Sequence, residues 1–309
     1  MNFQAEPPNI PEIPPSSPPP PSLGSRIFLG SDGLRSGWSL ALYLVMCAVM
    51  IFIMQPLVRH VARPLRYTAW STVVGYLFLV TVIFVAALLL GSIEKRPFGA
   101  YGLPVSSAFG KTFWQGVIWG IAALTVLLLV MRGASAFYFG SPVEHGLRAL
   151  KFAVFWAMVF LLVGFFEEFF FRGPALFSLS RGIGFWWSAL ILSVAFGAVH
   201  IGNKGENPAG AVAAALIGLF FCFTLRRTGN LWFAVGFHAS WDWGESYLYG
   251  VPDSGSTSPG HLLGSSFHGP SWLTGGSVGP EGSALVFLLI ALLFVAFHRF
   301  YPAPWDTVA

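Results

Sequence analysis

Apolar runs of about 20 residues recur from one end of this chain to the other. A run of that length crosses the hydrocarbon of a bilayer as an α-helix, with every backbone N–H and C=O satisfied inside the segment. The runs are continuous rather than alternating, which argues against a β-barrel. Charged residues make up 10% of the chain, against about 25% in a soluble globular protein. The sequence therefore reads as all-α, a polytopic transmembrane helical bundle with its active site between central helices. Eight spans are expected, at about 37–58, 67–91, 112–131, 151–171, 184–201, 209–226, 230–250 and 283–301. Some are short for a bilayer, which suits helices enclosed by other helices.

The segments between and around the runs divide the chain into two parts. Residues 1–35 carry Pro7, Pro8, Pro11, Pro14, Pro15 and Pro18 to Pro21. They are expected to form a disordered Pro-rich tail, extended in polyproline II, because proline removes backbone donors and fixes φ. Residues 36–309 form the transmembrane domain. The stretch from Lys95 to Pro104 reads as a polar connection at the interface. Residues 251–282, rich in Gly, Ser and Pro, read as a floppy connector.

Lysine and arginine placement sets the expected orientation. Loop 251–282 has neither, so it faces outward, and Arg226-Arg227 faces the cytoplasm. Both termini are then cytoplasmic, and the first hydrophobic helix serves as the uncleaved targeting signal. The net charge of +4 is spread out, and no basic patch suggests a nucleic-acid partner. The expected partners are the lipid bilayer and a peptide or membrane-protein substrate. Cys47 and Cys222 fall inside apolar runs without a CxxC and read as small buried hydrophobes.

Three polar groups interrupt the apolar runs. The first is Glu167-Glu168-Phe169-Phe170-Phe171-Arg172. A charge at bilayer depth costs roughly 2.5 to 3.5 kcal/mol, so three within six residues need a reason. Glu168 and Arg172 stand i, i+4 with the acid first, the favoured ion-pair order, which leaves Glu167 to point elsewhere. Glu167 is then a candidate general base on water, and the alternative is a structural network of all three. The second group is His200, one turn after Phe196. The third is His238 with Asp242, again i, i+4, so both side chains enter one space. That spacing suits two ligands of one metal, a histidine oriented by its acid, or a structural hydrogen bond. Glu245 lies a further turn on. Trp241 and Trp243 read as interfacial anchors, the usual role of aromatics near a helix end. A bundle turns costly groups away from lipid, so Glu167, His200, His238 and Asp242 are expected to meet in one buried site.

In order and spacing these motifs resemble the CPBP intramembrane proteases, the CAAX prenyl endopeptidase and bacteriocin-processing group (Rce1/Abi). The family's EExxxR corresponds to Glu167 to Arg172, its FxxxH to Phe196 and His200, and its HxxxN/D to His238 and Asp242. The stretch from Arg227 to Trp232 also matches. The resemblance covers about residues 150–250 and implies an endopeptidase that cuts within or beside the membrane. It places Glu167, Glu168, Arg172, His200, His238 and Asp242 at the catalytic centre. In one family account Glu167 and His200 activate water while His238 and residue 242 hold the oxyanion. In the other, Glu167, His200, His238 and Asp242 bind zinc or another divalent metal. An ionised Asp242 can only accept hydrogen bonds, which favours the metal account. The implied location is multi-pass in the inner membrane of a bacterial cell. The substrate, CAAX-like or a processed bacteriocin-type peptide, is not readable. A non-catalytic immunity or scaffold protein of the same fold is the alternative, and a proton-coupled transporter ranks behind both, since the chain shows no internal repeat.

Overall fold

A computed structural model describes residues 22–30, 33–65 and 68–302. In chain order its helices are α1 (Leu23–Phe28), α2 (Ser36–Ala62), α3 (Trp70–Glu94), α4 (Lys111–Gly133), α5 (Gly146–Arg172), α6 (Pro174–Ile183), α7 (Phe185–His200), α8 (Pro208–Thr228), α9 (Trp232–Trp243), α10 (Ser271–Thr274) and α11 (Ala284–Phe300). A π-helix, Gly244–Tyr249, continues α9. Two short antiparallel ladders complete the secondary structure. They join β1 (Leu29–Gly30) to β2 (Gly33–Leu34) and β3 (Phe137–Tyr138) to β4 (Ser266–Phe267).

The bundle is the expected all-α membrane architecture. Among the described residues, five helical stretches are long and apolar enough to cross a membrane: Ser36–Leu65, Trp70–Glu94, Lys111–Gly133, Gly146–Ile183 and Pro208–Thr228. The other three expected spans are helical but short. α7 has 16 residues, α11 has 17, and α9 has 12 before its π-helical extension.

Small residues bring the site-bearing helices together. Gly116 and Gly120 of α4 lie against the backbone carbonyls of Phe233 and Phe237 on α9, and Gly236 of α9 lies against the Phe113 carbonyl. A Cβ at any of the three would overlap backbone, so the two helices touch main chain to main chain, as small-residue stripes allow in membranes. Gly197 of α7 meets the Ala211 carbonyl of α8 in the same way. Lipid tails are as apolar as leucine, so this close contact rather than a hydrophobic drive holds the pairs. Around it Phe220, Phe221, Phe233, Phe237 and Phe297 are almost fully buried.

Local signals set where the helices begin and end. Pro208 opens α8 at its first turn, and the Asn207 side chain accepts from the Ala209 and Gly210 amides. α9 is pinned at its start to the 95–104 connection: Leu231 N–H donates to the Gly102 carbonyl, and the Trp232 indole donates to the Pro104 carbonyl. That connection contains the 3-10 turn Phe98–Tyr101, and a second, Val105–Ser107, follows it.

Two expectations need correction. The sequence marks residues 1–35 as a disordered tail; 1–21 lie outside the described residues, but Leu23–Phe28 is helical and Leu29–Gly30 pairs with Gly33–Leu34. The Trp38 indole donates to the Ile27 carbonyl and stacks near Phe28, and Arg35 Nε donates to the Leu29 carbonyl. Loop 251–282 is not a floppy connector. Its backbone bonds to Ser141, Ala136, Tyr247 and Leu248, and β4 pairs with β3. Its glycines serve these turns: Gly255, Gly260, Gly275 and Gly279 have positive φ, which glycine adopts without cost.

Candidate active site

α5, α7 and α9 each deliver part of the polar group, and they converge on a cavity of about 410 Å³. Glu167, His200, His238 and Asp242 all line it. The four residues expected to meet therefore do share one space.

The innermost part is the pair Glu168–Arg172. Both side chains are buried, with Arg172 Nη1 3.0 Å from Glu168 Oε1. The same oxygen accepts from His238 Nδ1 at 2.8 Å. Glu168 thus fixes the ring of a histidine on another helix, and its own charge is answered by arginine one turn further on. Removing either partner would strand a charge in an apolar interior. Arg172 is also stacked, its guanidinium carbon 4.3 Å from the Phe196 ring centre, in space that Gly218 leaves open.

Phe196 has two jobs, which explains its spacing from His200. Its ring covers Arg172, and its backbone carbonyl accepts from His200 Nδ1 at 2.8 Å. A carbonyl only accepts, so His200 Nδ1 carries the hydrogen and Nε2 faces the cavity. His238 is held in the same sense by Glu168. Two imidazoles on two helices are anchored through Nδ1 and present Nε2 to one place.

That place is Glu167. Its Oε2 lies 3.6 Å from His238 Nε2 and 4.0 Å from His200 Nε2. It is buried and has no hydrogen-bond partner. Asp242 Oδ2 is 3.4 Å from His238 Nε2, on the far side from Glu168. The arrangement is a carboxylate oxygen facing two oriented imidazoles, with a gap between them wider than a direct hydrogen bond. A water molecule, which seeks two to four polar partners, suits such a gap.

The same donors suit a divalent metal in kind: two imidazole nitrogens whose second nitrogens are anchored, and two carboxylates. The separations of 3.4, 3.6 and 4.0 Å are each short enough for two ligands of one ion, but no three of the four residues bring one donor atom each within 4.8 Å of one another. Zinc ligands at about 2.0 to 2.2 Å stand within roughly 4 Å of one another. Among the described residues, the group whose donor atoms all lie within 4.8 Å of one another is a different one, Glu245, Asp253 and Glu281. The four cavity residues would have to draw in to hold one ion.

Several residues of this region were missed or misread from sequence. Trp241 lines the cavity and its indole donates to Glu281 Oε1 at 3.1 Å, while the Trp243 indole donates to the Ala153 carbonyl at 3.0 Å. Neither is an interfacial anchor, because both N–H groups are spent inside the bundle. Glu245 is turned out of the catalytic group into the acidic cluster. Asp253 and Glu281 were overlooked, although they are the sole acidic residues between 251 and 282 and stand near its two ends. Burial pushes the Asp253 carboxyl well above the usual carboxylate range, and the nearby Asp242 and Glu281 carboxylates push it the same way. Glu206, on the turn after α7, is raised chiefly by burial.

Residues 149–244 match the family model described as type II CAAX prenyl endopeptidase, Rce1-like. The match spans all three motifs, from the middle of α5's first turn to the start of the π-helix, and bears out the resemblance read from them. Neither the curated proteins nor the solved structures give a match to the chain. The Rce1-like segment leaves out Glu245, Asp253 and Glu281.

Proposed function

We propose that this protein is an intramembrane endopeptidase in which Glu167 activates water against a peptide carbonyl. One observation carries the reading. Glu167 Oε2 is buried and unpartnered, and two imidazoles anchored through Nδ1 turn Nε2 toward it at 3.6 and 4.0 Å. A structural role would have given that oxygen a donor, since an unpartnered buried acceptor costs about 1 to 3 kcal/mol.

In this reading a water sits between Glu167 and the two imidazoles. Glu167 Oε2 takes one of its protons as the oxygen adds to the scissile carbonyl, while the other hydrogen stays on that oxygen and donates a hydrogen bond to His200 Nε2, which orients the attack. His238, when doubly protonated, donates from Nε2 to the developing oxyanion. Glu167 then passes its proton to the leaving nitrogen as the C–N bond breaks. Glu168 and Arg172 act through His238, holding its ring. A divalent metal held by Glu167, His200, His238 and Asp242 would supply Lewis-acid activation of the same carbonyl. The family description supports a CAAX-type peptidase, and a bacteriocin-type peptide is the other substrate class. The bundle would lie in a bilayer, in a bacterial inner membrane, with both termini cytoplasmic and loop 251–282 outside.

The test is cleavage of a membrane-peptide library by purified protein in detergent, comparing wild type with Glu167→Ala and His200→Ala, with and without chelator. Cleavage by wild type that both variants lose while staying folded is the expected result. Loss with chelator and recovery with zinc would assign the metal account. Cleavage that survives both substitutions, or none by any form, would move the assignment to a non-catalytic immunity or scaffold role.

A further inference from the structure

Glu245, Asp253 and Glu281 bring one carboxylate oxygen each to within 4.8 Å of one another. They come from three places: the first turn of the π-helix, the start of loop 251–282, and the 3-10 turn that leads into α11. Among the described residues no lysine, arginine or histidine forms an ion pair with any of them.

Glu245 is the decisive member. It is 0% exposed, and neither carboxylate oxygen has a hydrogen-bond partner. The Trp241 indole N–H, which lies beside it, donates to Glu281 Oε1 instead. Like charges this close in an apolar interior repel strongly, and water cannot screen them.

The other two carboxylates are positioned by neutral donors: both Glu281 oxygens accept at least one, with Oε1 taking the Trp241 indole, and Asp253 accepts one through Oδ2. Glu281 Oε2 accepts from the Ser254 amide at 3.0 Å and its hydroxyl at 2.8 Å, and Asp253 Oδ2 accepts from the Ser246 hydroxyl at 3.2 Å. These contacts orient a ligand set as outer-shell groups do around a metal. All three donors are hard oxygens. Calcium binds such oxygens at about 2.3 to 2.6 Å, so its ligands stand up to roughly 5 Å apart, matching the observed spread. A smaller ion that demands tighter geometry fits less well.

We propose that Glu245, Asp253 and Glu281 form a calcium-class divalent cation site that clamps both ends of loop 251–282 to the π-helix. Asp253 and Glu281 also line the cavity that holds Glu167, so the clamp forms part of the cavity wall. The site lies outside the Rce1-like segment and stands whether or not the chain is a protease.

The experiment uses the full chain in detergent, stripped with chelator and titrated with Ca²⁺ and, separately, with Tb³⁺. Trp241 touches the site and serves as the sensitiser for Tb³⁺ luminescence. Saturable luminescence, displaced by Ca²⁺, and a rise in thermal midpoint with Ca²⁺ are expected. Glu245→Gln removes a charge without changing volume, so it should fold at least as well as wild type and bind roughly tenfold more weakly or worse. Glu245→Gln with Asp253→Asn should lose the response, and Glu167→Gln should keep it. Absence of saturable binding to wild type overturns the proposal. So does binding that survives the double substitution, or binding that Glu167→Gln abolishes, which would place the ion at the catalytic group.

Discussion

Glu94 and Glu167 are both carboxylates held inside an apolar bundle, and their surroundings are opposite. Glu94, at the C-terminal end of α3, is fully answered. Oε1 receives the Ser39 hydroxyl and Arg181 Nη2, each at 2.5 Å, and Oε2 receives the Tyr101 hydroxyl at 3.0 Å with Arg96 beyond it at 3.9 Å. Ser39 in turn meets Ser178 at 2.8 Å, so the cluster ties α2, α3, α6 and the 3-10 turn together. Glu167 has two imidazoles at longer range and an oxygen with no partner. A buried polar group that serves stability is completed by its neighbours. One left incomplete, facing a cavity, is kept for something that comes and goes.

This contrast yields predictions that can break it. The largest effect should follow His200→Asn, which removes an oriented imidazole from Glu167. Turnover should fall by roughly 10² to 10⁴-fold, with the thermal midpoint nearly unchanged. Equal loss of midpoint and activity would make His200 a structural residue. Next comes Arg172→Met, which leaves the Glu168 charge without its partner; unfolding free energy should drop by about 3 to 5 kcal/mol, and turnover should fall too because His238 loses its anchor. Chemical denaturation of the purified protein measures the first part and peptide cleavage the second. Arg181→Met should cost less, about 1 to 3 kcal/mol, since Glu94 keeps its hydroxyl donors, and the folded fraction should cleave at the wild-type rate. Loss of turnover there would show that the two carboxylate clusters are coupled. The smallest effect is expected for Ser39→Ala, about 1 kcal/mol, with no change in activity.

The sequence was informative where the membrane makes polarity expensive. Glu167, Glu168, Arg172, His200, His238 and Asp242 stood out because each interrupts an apolar run, and the i, i+4 spacings gave the Glu168–Arg172 and His238–Asp242 contacts seen in the structure. Glu168's reach across to His238 Nδ1 was not legible, because no local spacing encodes a contact 70 residues apart. Neither was the second role of Phe196, whose carbonyl is invisible in a side-chain motif. Loop 251–282 misled for a related reason. Gly, Ser and Pro mark turns but do not say what the turns pack on, so nothing singled out Asp253 and Glu281 until the fold closed them on Glu245. Trp241 and Trp243 failed likewise: an aromatic near a helix end can face lipid or the bundle, and tertiary contacts decide.

The measurement closest to the central claim is a paired one on Glu167→Gln, a near-isosteric change that removes the charge and the basic oxygen while keeping the volume. Peptide cleavage and thermal unfolding should be read on the same preparation. Cleavage lost, with the midpoint equal to or above wild type, is the result predicted for an oxygen held ready for water. Cleavage retained, or lost only together with the fold, would contradict it and make Glu167 another structural carboxylate like Glu94.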